Sequence, residues 1–531
     1  MNASQIAKTL STLKSLRSPH ESVWRDCFDH SYPIRGSGFC TEQITAMEAQ
    51  MRKARMIDGT TTDAARILSS GIMSGLTPAN SLWFGMDVGQ ETDEERRWLD
   101  DSADILWQNI HASNFDAAAF EGLIDVVCAG WFALYIDQDR EKGGFTFDLW
   151  PIASVYASAS KAGGKIDTVY REYKLTAEQA VNEFGEENVS EGTRKLAKDK
   201  PQELVKFVHA IYPRTTYMVG AKLAKNMAIA SCKVEVDAKH LVSESGYHEM
   251  PVVVPRWMMI PDSVYAVGPV FDALPDARTL NELCRMDLAA GDLAIAGMWI
   301  AEDDGVLNPR TVKVGPRKII VANSVDSMKP LQSGSNFQYA ETKIARLQAS
   351  IRKILMADQL QAQDGPAMTA TEVHVRVNLI RQLLGPVYGR LQTEYLQPLI
   401  ERCFGIAYRA GVLGTAPESL AGRNFTVRYL SPLARSQKLE EVSAIDQFVA
   451  GALVVAQTDP TVMDNIDMDE AQRFKGEALG VPSSVMRSKA DRDKIREDRA
   501  AANQQAQEQA QQQMIQQQAS EAAIKQQGAA A

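Results

Sequence analysis

The sequence predicts an α+β, predominantly helical fold organised around a helical hairpin with a small insert at its tip. Three observations predict it. Ile344, Leu347, Ile351 and Ile354 recur at steps of three and four, which places them on one face of a helix over 338–361. A second helical pattern over 276–296 is separated from it by 297–338, a stretch rich in Gly, Pro, Asn and Ser. Residues 204–254 instead break into β-branched and aromatic runs (VKFVHAIYPR, YMVGAKL, ASCKVEVDAKHLV, PVVVPRW) that read as strands.

Taken in order, residues 1–55 read as helix punctuated by Pro19 and Pro33, with Trp24, Phe28 and Tyr32 four apart in a core-facing stripe. A helix over 58–75 is capped by Asp58 or one of Thr60, Thr61 and Thr62. Its Ala64, Ala65, Ser69, Ser70, Gly71, Ser74 and Gly75 let a second backbone come close, either inside one subunit or between subunits. Residues 83–86 resemble a short strand, and 91–135 a helical region closing on the apolar run 126–136. Strands follow at 145–150, 154–157 and 165–173, then a helix over 177–184 with Thr176 as its cap.

The first hairpin helix sets Asp276, Glu282, Asp287 and Asp292 among Leu280, Leu283, Leu288 and Leu293. On the second, Lys343, Arg346 and Lys353 form a basic stripe beside the apolar one. The insert has one strand-like run at 318–322. A loop at 361–370 holds Gln363 and then Asp364-Gly365-Pro366, a breaker because glycine admits unusual backbone angles and proline removes a donor. Thr369 and Glu372 have capping-box spacing and open a helical pattern that runs to 413, roughly 60 Å at the α-helical rise. Gly385-Pro386 and Gln397-Pro398 interrupt it, and apolar periodicity resumes after both, so the prolines kink this helix rather than end it. Beyond the linker at 414–419 lie a strand at 424–432 and helices over 434–456 and 464–479. The Gln- and Ala-rich tail, 491–531, has little apolar surface to bury and is either disordered or a helix.

A chain of 531 residues holds two or more domains or one elongated one, and its net charge of −10 argues against a general basic surface that clings to nucleic acid. Cysteines 27, 40, 128, 232, 284 and 403 are scattered without a CxxC, as suits free thiols in a reducing compartment. Lys8, Lys14 and Arg17 interrupt any signal-peptide core, and no run reaches the ~18 apolar residues of a membrane span, so a soluble protein is expected. No phosphate-binding loop, nucleophile elbow, zinc-protease motif or dinucleotide fingerprint occurs, so no catalytic residues, metal or cofactor are expected. Asp464, Asp467, Asp469 and Glu470 would suit a divalent ion, yet acidic residues at a helix start are favoured by the macrodipole alone.

LLGPVYGRLQTEYLQPLIERCF at 383–404 resembles the long helix of the head-to-tail connector, or portal, proteins of short-tailed bacteriophages, the podovirus portal family. TATEVHVR at 369–376 resembles the segment after that family's tunnel loop. SPHESVWRDCFDHSYP at 18–33, the run from 58 to 86 and VPRWMMIPDSVYAVGPV at 254–270 agree in order and spacing, and the likeness covers roughly residues 10 to 490. It implies a dodecameric ring at one capsid vertex of the virion, assembled in the host cytoplasm, through which double-stranded DNA is packaged and ejected without sequence specificity. It divides the chain into a wing (1–267), stem helices (268–297 and 338–361), a clip (298–337), a tunnel loop (361–370), the long kinked helix (369–413), a crown (414–490) and the tail. It implies capsid, scaffolding, terminase and tail-adaptor proteins as partners. Glu282, Asp287, Asp292, Lys343, Arg346, Lys353, Gln363 and Asp364 are then candidates to line the channel, although the helix charges would equally pair with one another. Ile344, Leu347, Ile351 and Ile354 are candidates to pack the stem, against the partner helix and the neighbouring subunit. The alternatives are a tail adaptor or tube ring, which the long interrupted helix disfavours, and a terminase subunit, which lacks here its nucleotide-binding loop.

Overall fold

A computed structural model of the chain describes residues 2–36, 46–89, 92–139, 143–161, 163–218, 220, 223–296, 298–301, 328–331, 337–360, 385, 387–420, 425–429, 432–456, 459–479, 481, 487, 491–505, 507, 509 and 513. Its helices are α1 (Ala3–Asp29), α2 (Ala46–Arg55), α3 (Thr60–Leu76), α4 (Asp93–His111), α5 (Phe115–Ala129), α6 (Ala177–Phe184), α7 (Glu191–Asp199), α8 (Pro269–Ala296), α9 (Phe337–Ile354), α10 (Ala357–Leu360), α11 (Gln397–Arg409), α12 (Pro432–Ala456) and α13 (Met468–Leu479). Its strands are β1 (Phe84–Asp87), β2 (Ala133–Gln138), β3 (Phe145–Trp150), β4 (Val155–Ser158), β5 (Thr168–Thr176), β6 (Leu204–Pro213), β7 (Ile229–Glu235), β8 (His240–Tyr247), β9 (Val252–Val253), β10 (Met258–Met259), β11 (Ala266–Val267), β12 (Met298–Ala301), β13 (Met328–Leu331) and β14 (Thr426–Tyr429). Two compact units result, 1–81 with 106–412 and 82–105 with 413–531.

In the first unit, α1 starts from a capping box in which the Gln5 amide donates to Asn2 Oδ1 and the Asn2 amide donates to Gln5 Oε1, both at 2.9 Å. Its Ile6, Leu10 and Leu13 bury against Tyr156, Tyr170, Val208, Ala210, Cys232 and Val234 of the antiparallel sheet β4-β5-β6-β7-β8. Because successive strand residues point to opposite faces, Val205 and Phe207 of β6 join a second cluster with Ala177 and Ala180 of α6. Arg17 is 3% exposed and satisfied inside the protein: it donates to the carbonyls of Ile152 (3.0 Å) and Val155 (2.7 Å) and pairs with Glu21. Trp24 and Phe28 are fully buried, as their spacing predicts.

The apolar run 126–136 is not one helix. Gly130 takes φ 93° as the left-handed cap of α5, which only glycine adopts without strain, and the chain returns as β2 of the sheet β3-β2-β9. The run YMVGAKL contains no strand among its described residues. It lies in the β6–β7 connection, where Gly220 turns the chain at φ 73°. The second hairpin helix ends earlier than its pattern, since Met356 sits at φ 55° and separates α9 from α10. The strand expected at 318–322 and the capping pair Thr369 and Glu372 lie outside the described residues.

The long helix crosses Pro398 without a sharp break. Residues 392–396 form a π turn that runs directly into α11. Proline has no amide for the carbonyl four residues back and its ring presses on that carbonyl, so widening the spacing to five residues relieves both problems. Ahead of it Tyr388 donates to the Gly75 carbonyl, and Arg390 Nη1 donates to the Trp257 carbonyl at 2.9 Å. A Cβ on Gly71 would fall 2.9 Å from Leu360, so the small residues of α3 make room inside this chain.

In the second unit, β1 and β14 form a two-stranded antiparallel ribbon, and Trp98 Nε1 donates to the Leu413 carbonyl at 3.1 Å. α12 packs on α13, with Lys475 paired to Asp446. Asp467 Oδ1 accepts the amides of Asp469 and Glu470, both at 3.0 Å, and so caps α13, while Asp469 pairs with Arg492 (3.0 Å) and Arg496 (2.6 Å) of a helix over 491–505. These acidic residues are accounted for by capping and ion pairs, and among the described residues no group of three or more His, Cys, Asp or Glu is placed to hold a metal ion.

α11 is fixed on the first unit's sheets by Glu249. Arg409 grips this carboxylate with two bonds of 2.5 and 2.8 Å, and Arg402, 4% exposed, reaches it at 3.2 Å and Asp137 at 3.5 Å. A Cβ on Gly405 would overlap the Glu249 carboxylate, so the helix lies directly on it. Burial alone would raise the Glu249 carboxyl, but the bonds from Arg409 and the charges of both arginines hold it below its ordinary value. Its ion pairing therefore stabilises the fold above the unfolded pKa of about 4.3, and that contribution fades as pH falls through the lower folded pKa. Glu249→Gln is expected to cost roughly 1–3 kcal/mol at pH 7, less than for a fully buried pair because the carboxylate is 29% exposed. Urea midpoints for both proteins at pH 7 and near pH 3 should show the gap narrowing in acid; an equal gap at both would refute it.

Candidate functional site

The hairpin is built on a close backbone approach. Gly268, just before α8, lies where a Cβ would overlap the carbonyl oxygens of Val126 and Val127 at the end of α5. Gly130 is its counterpart, since a Cβ there would overlap the backbone of Val267. Leaving this junction, α8 buries Val270, Ala273, Leu274, Ala277 and Leu280. Asn281 Oδ1 then accepts the Ile57 amide at 2.7 Å, its Nδ2 donates to the Arg55 carbonyl at 3.1 Å, and Arg278 pairs with Asp26 at 2.7 Å.

α9 runs back along α8, with Ser350 Oγ donating to Asp276 Oδ2 at 2.7 Å near the base. Gln348 Nε2 donates to Asp58 at 2.8 Å, and the other oxygen of Asp58 accepts the Thr60 amide at 2.8 Å. Asp58 thus holds the start of α3 and fastens α9 to it. At the far end β12 and β13 pair antiparallel, Met298 opposite Leu331 through Ala301 opposite Met328. Residues 302–327 of the insert, and Gln363 and Asp364 of the loop, lie outside the described residues.

The apolar stripe of α9 divides by depth. Ile351 is fully buried, as is Leu355 just beyond the helix, whereas Ile344, Leu347 and Ile354 are half-buried. Ile351 therefore packs inside its own chain rather than waiting for a neighbour, because the base of the hairpin is already enclosed by α3 and α8. The outer part of α8 leaves Met286, Leu288 and Ile295 at 53%, 59% and 89% exposure.

The charges lie differently from a simple pairing across the hairpin. Glu282 is exposed and takes two bonds from Arg285 three residues on, at 2.9 and 2.6 Å, which lower its pKa. The three-residue spacing of Glu282 and Arg285 is the sequence signal for this pair. Lys343 lies 5.8 Å from the Tyr339 ring centre. Among the described residues, Asp287, Asp292, Lys343, Arg346 and Lys353 form no ion pair. The bond of Ser350 to Asp276 joins the two helices instead.

One buried ion pair bears on the long helix. Glu394, inside the π turn, receives two bonds from Arg256 at 2.9 and 2.6 Å, with side chains 12% and 4% exposed. Only the folded chain brings these residues, 138 positions apart, together. No helix of the described residues is long and apolar enough to cross a membrane.

Ile351→Ala removes buried methylene groups and is expected to lower the stability of the unassembled chain by roughly 2–4 kcal/mol, read as a lower urea midpoint. An unchanged midpoint would place Ile351 outside the hairpin base.

The family described as bacteriophage head to tail connecting protein matches residues 3–486. The chain is 27% identical over 508 residues to the probable portal protein of Bordetella phage BPP-1, covering 93% of this chain and 91% of that one. It is 28% identical over 525 residues to the portal protein of Salmonella phage epsilon15, covering 95% and 92%. These likenesses run through nearly the whole chain and do not favour a tail-tube or terminase reading. A likeness of that extent is to a structural family: the chain belongs to the bacteriophage head-to-tail connecting proteins, and its function is that of a phage portal.

Proposed function

We propose that twelve copies close into a ring whose passage carries double-stranded DNA, with α8 and α9 as the stem, 298–337 as the clip and 361–370 as the tunnel loop. In this reading residues 1–267 and the helix 369–413 make the wing, and 414–490 the crown, with 491–531 continuing above it as a tail. The observation that carries the reading is the uncovered apolar surface of the hairpin: Leu288 and Ile295 stand largely in solvent and Ile344 and Leu347 are half-covered. A ring needs a head-to-tail interface, so each copy must offer such a surface to a different surface of the next. Terminase and later a tail adaptor would dock at the clip, and capsid and scaffolding proteins at the wing. Assembly in the host cytoplasm would precede incorporation at the vertex.

The electrostatics of passage support the same reading. Each phosphate neutralised by a fixed cation adds affinity and slows sliding. A sparse mixture of Asp287 and Asp292 with Lys343, Arg346 and Lys353, none paired within the described chain, would confine a duplex without gripping it.

Leu288→Asp with Ile295→Asp changes residues already exposed in one chain. The double variant should keep the monomer's melting temperature and fail to form rings by size-exclusion chromatography and negative-stain imaging. Intact rings would remove α8 from the interface. Separately, deleting residues 363–367 should leave rings intact while lowering DNA packaging or retention in proheads, and wild-type behaviour in both assays would take the loop out of the DNA path.

A further inference from the structure

We propose that the cleft where α1, α2 and α8 meet binds hydrogenphosphate, an oxyanion that can both accept and donate hydrogen bonds. The cleft encloses about 360 Å³ and is lined by Arg25, Asp29, His30, Arg55, Met56 and Asn281. Its wall combines two kinds of polar group. Arg25 and Arg55 bring guanidinium forks, which suit the paired oxygens of a phosphate. Arg55 is exposed at the end of α2 and forms no ion pair among the described residues. Asp29 and His30 bring acceptors to the same space.

The acceptors are what select the anion. His30 Nδ1 lies 2.9 Å from the Asp26 carbonyl oxygen. A carbonyl only accepts, so Nδ1 carries the ring proton and Nε2 of the neutral ring keeps a lone pair for the cleft. Asp29 follows Arg25 by four residues and so shares its face of α1. It is engaged within the chain, but a carboxylate has about four lone-pair directions and can accept once more. Such a wall repels an oxyanion that has lost every proton and accepts a hydrogen bond from one that keeps a proton. Sulfate, an ionised carboxylate and a phosphodiester carry no O–H. Hydrogenphosphate offers one to Nε2 or to Asp29 while its other oxygens take bonds from the arginines.

Contacts within the chain fix the walls. Asn281 Oδ1 accepts the Ile57 amide at 2.7 Å and its Nδ2 donates to the Arg55 carbonyl at 3.1 Å, which holds the end of α2 on α8. Arg278 pairs with Asp26 at 2.7 Å and ties α1 to the same helix. An anion entering the cleft meets partners already in place and loses little to reorganisation. Because it bridges three helices of the folded chain, it also raises the melting temperature by linkage.

Equilibrium dialysis of the full chain against radiolabelled inorganic phosphate at pH 8 should show one saturable site per chain. Sulfate at matched ionic strength should compete at least tenfold less well. Arg55→Gln should weaken phosphate binding at least tenfold while leaving the ligand-free melting temperature unchanged, since Arg55 is exposed and unpaired. Asp29→Asn should instead relax the selection and bring sulfate close to phosphate, a change that a purely structural role for Asp29 would not produce. Absence of a saturable site, or binding untouched by Arg55→Gln, overturns the proposal. Equal competition by sulfate in the wild-type chain also overturns it, because the cleft would then hold an adventitious ion only. Displacement of phosphate by a 20-base-pair duplex in the wild-type chain would give the site to a DNA backbone phosphate, and that too would overturn it.

Discussion

Everything outward of the sheets depends on two glycines that let backbones touch. At Gly130 and Gly268 the end of α5 and the start of α8 pass so closely that any side chain would collide with main-chain atoms. The approach fixes the root of the hairpin on the largely buried helix α5. Further bonds then brace what the glycines have placed: Asn281 on the chain after α2, Asp276 on Ser350, Asp58 on Gln348. The hairpin is rigid at its root through backbone packing and polar crosslinks, and apolar and uncovered further out.

Much of this was legible because it is local. Period-two and period-3.6 patterns found the β6–β8 meander, α9 and α12, and Thr176 was readable as the cap of α6 because it accepts the Gln179 amide within the same turn. Errors arose where one residue's backbone overruled the hydrophobic pattern. Gly130 split an apolar run into helix and strand, and Met356 ended α9 early. The pattern of 217–223 looks like a strand, but Tyr217, Met218 and Leu223 are exposed, and there the usual equation of apolar with buried fails.

The candidate site was legible in part. Spacing placed Ile344, Leu347, Ile351 and Ile354 on one helix face, but only contacts far apart in sequence decide which of them is enclosed, and α3 encloses Ile351. The acid–base pairing of Glu282 was local and visible in principle at i,i+3. Arg256 with Glu394, and Arg402 and Arg409 with Glu249, join positions 138, 153 and 160 apart, where one sequence offers no periodic signal. Pro398 announced an irregularity without saying which, and the π turn is one of several ways a helix can pass a proline.

The separation between what folds the hairpin and what decorates it has an evolutionary reading. Asn281, Asp276, Ser350 and Ile351 are committed to the chain's own structure, so changing them perturbs the fold itself. Asp287, Asp292, Arg346 and Lys353 hold no such commitment among the described residues. Their charge can drift, reverse sign or be traded between neighbours at little thermodynamic expense. Substitution at these outer positions can therefore proceed on a scaffold that does not have to be rebuilt each time.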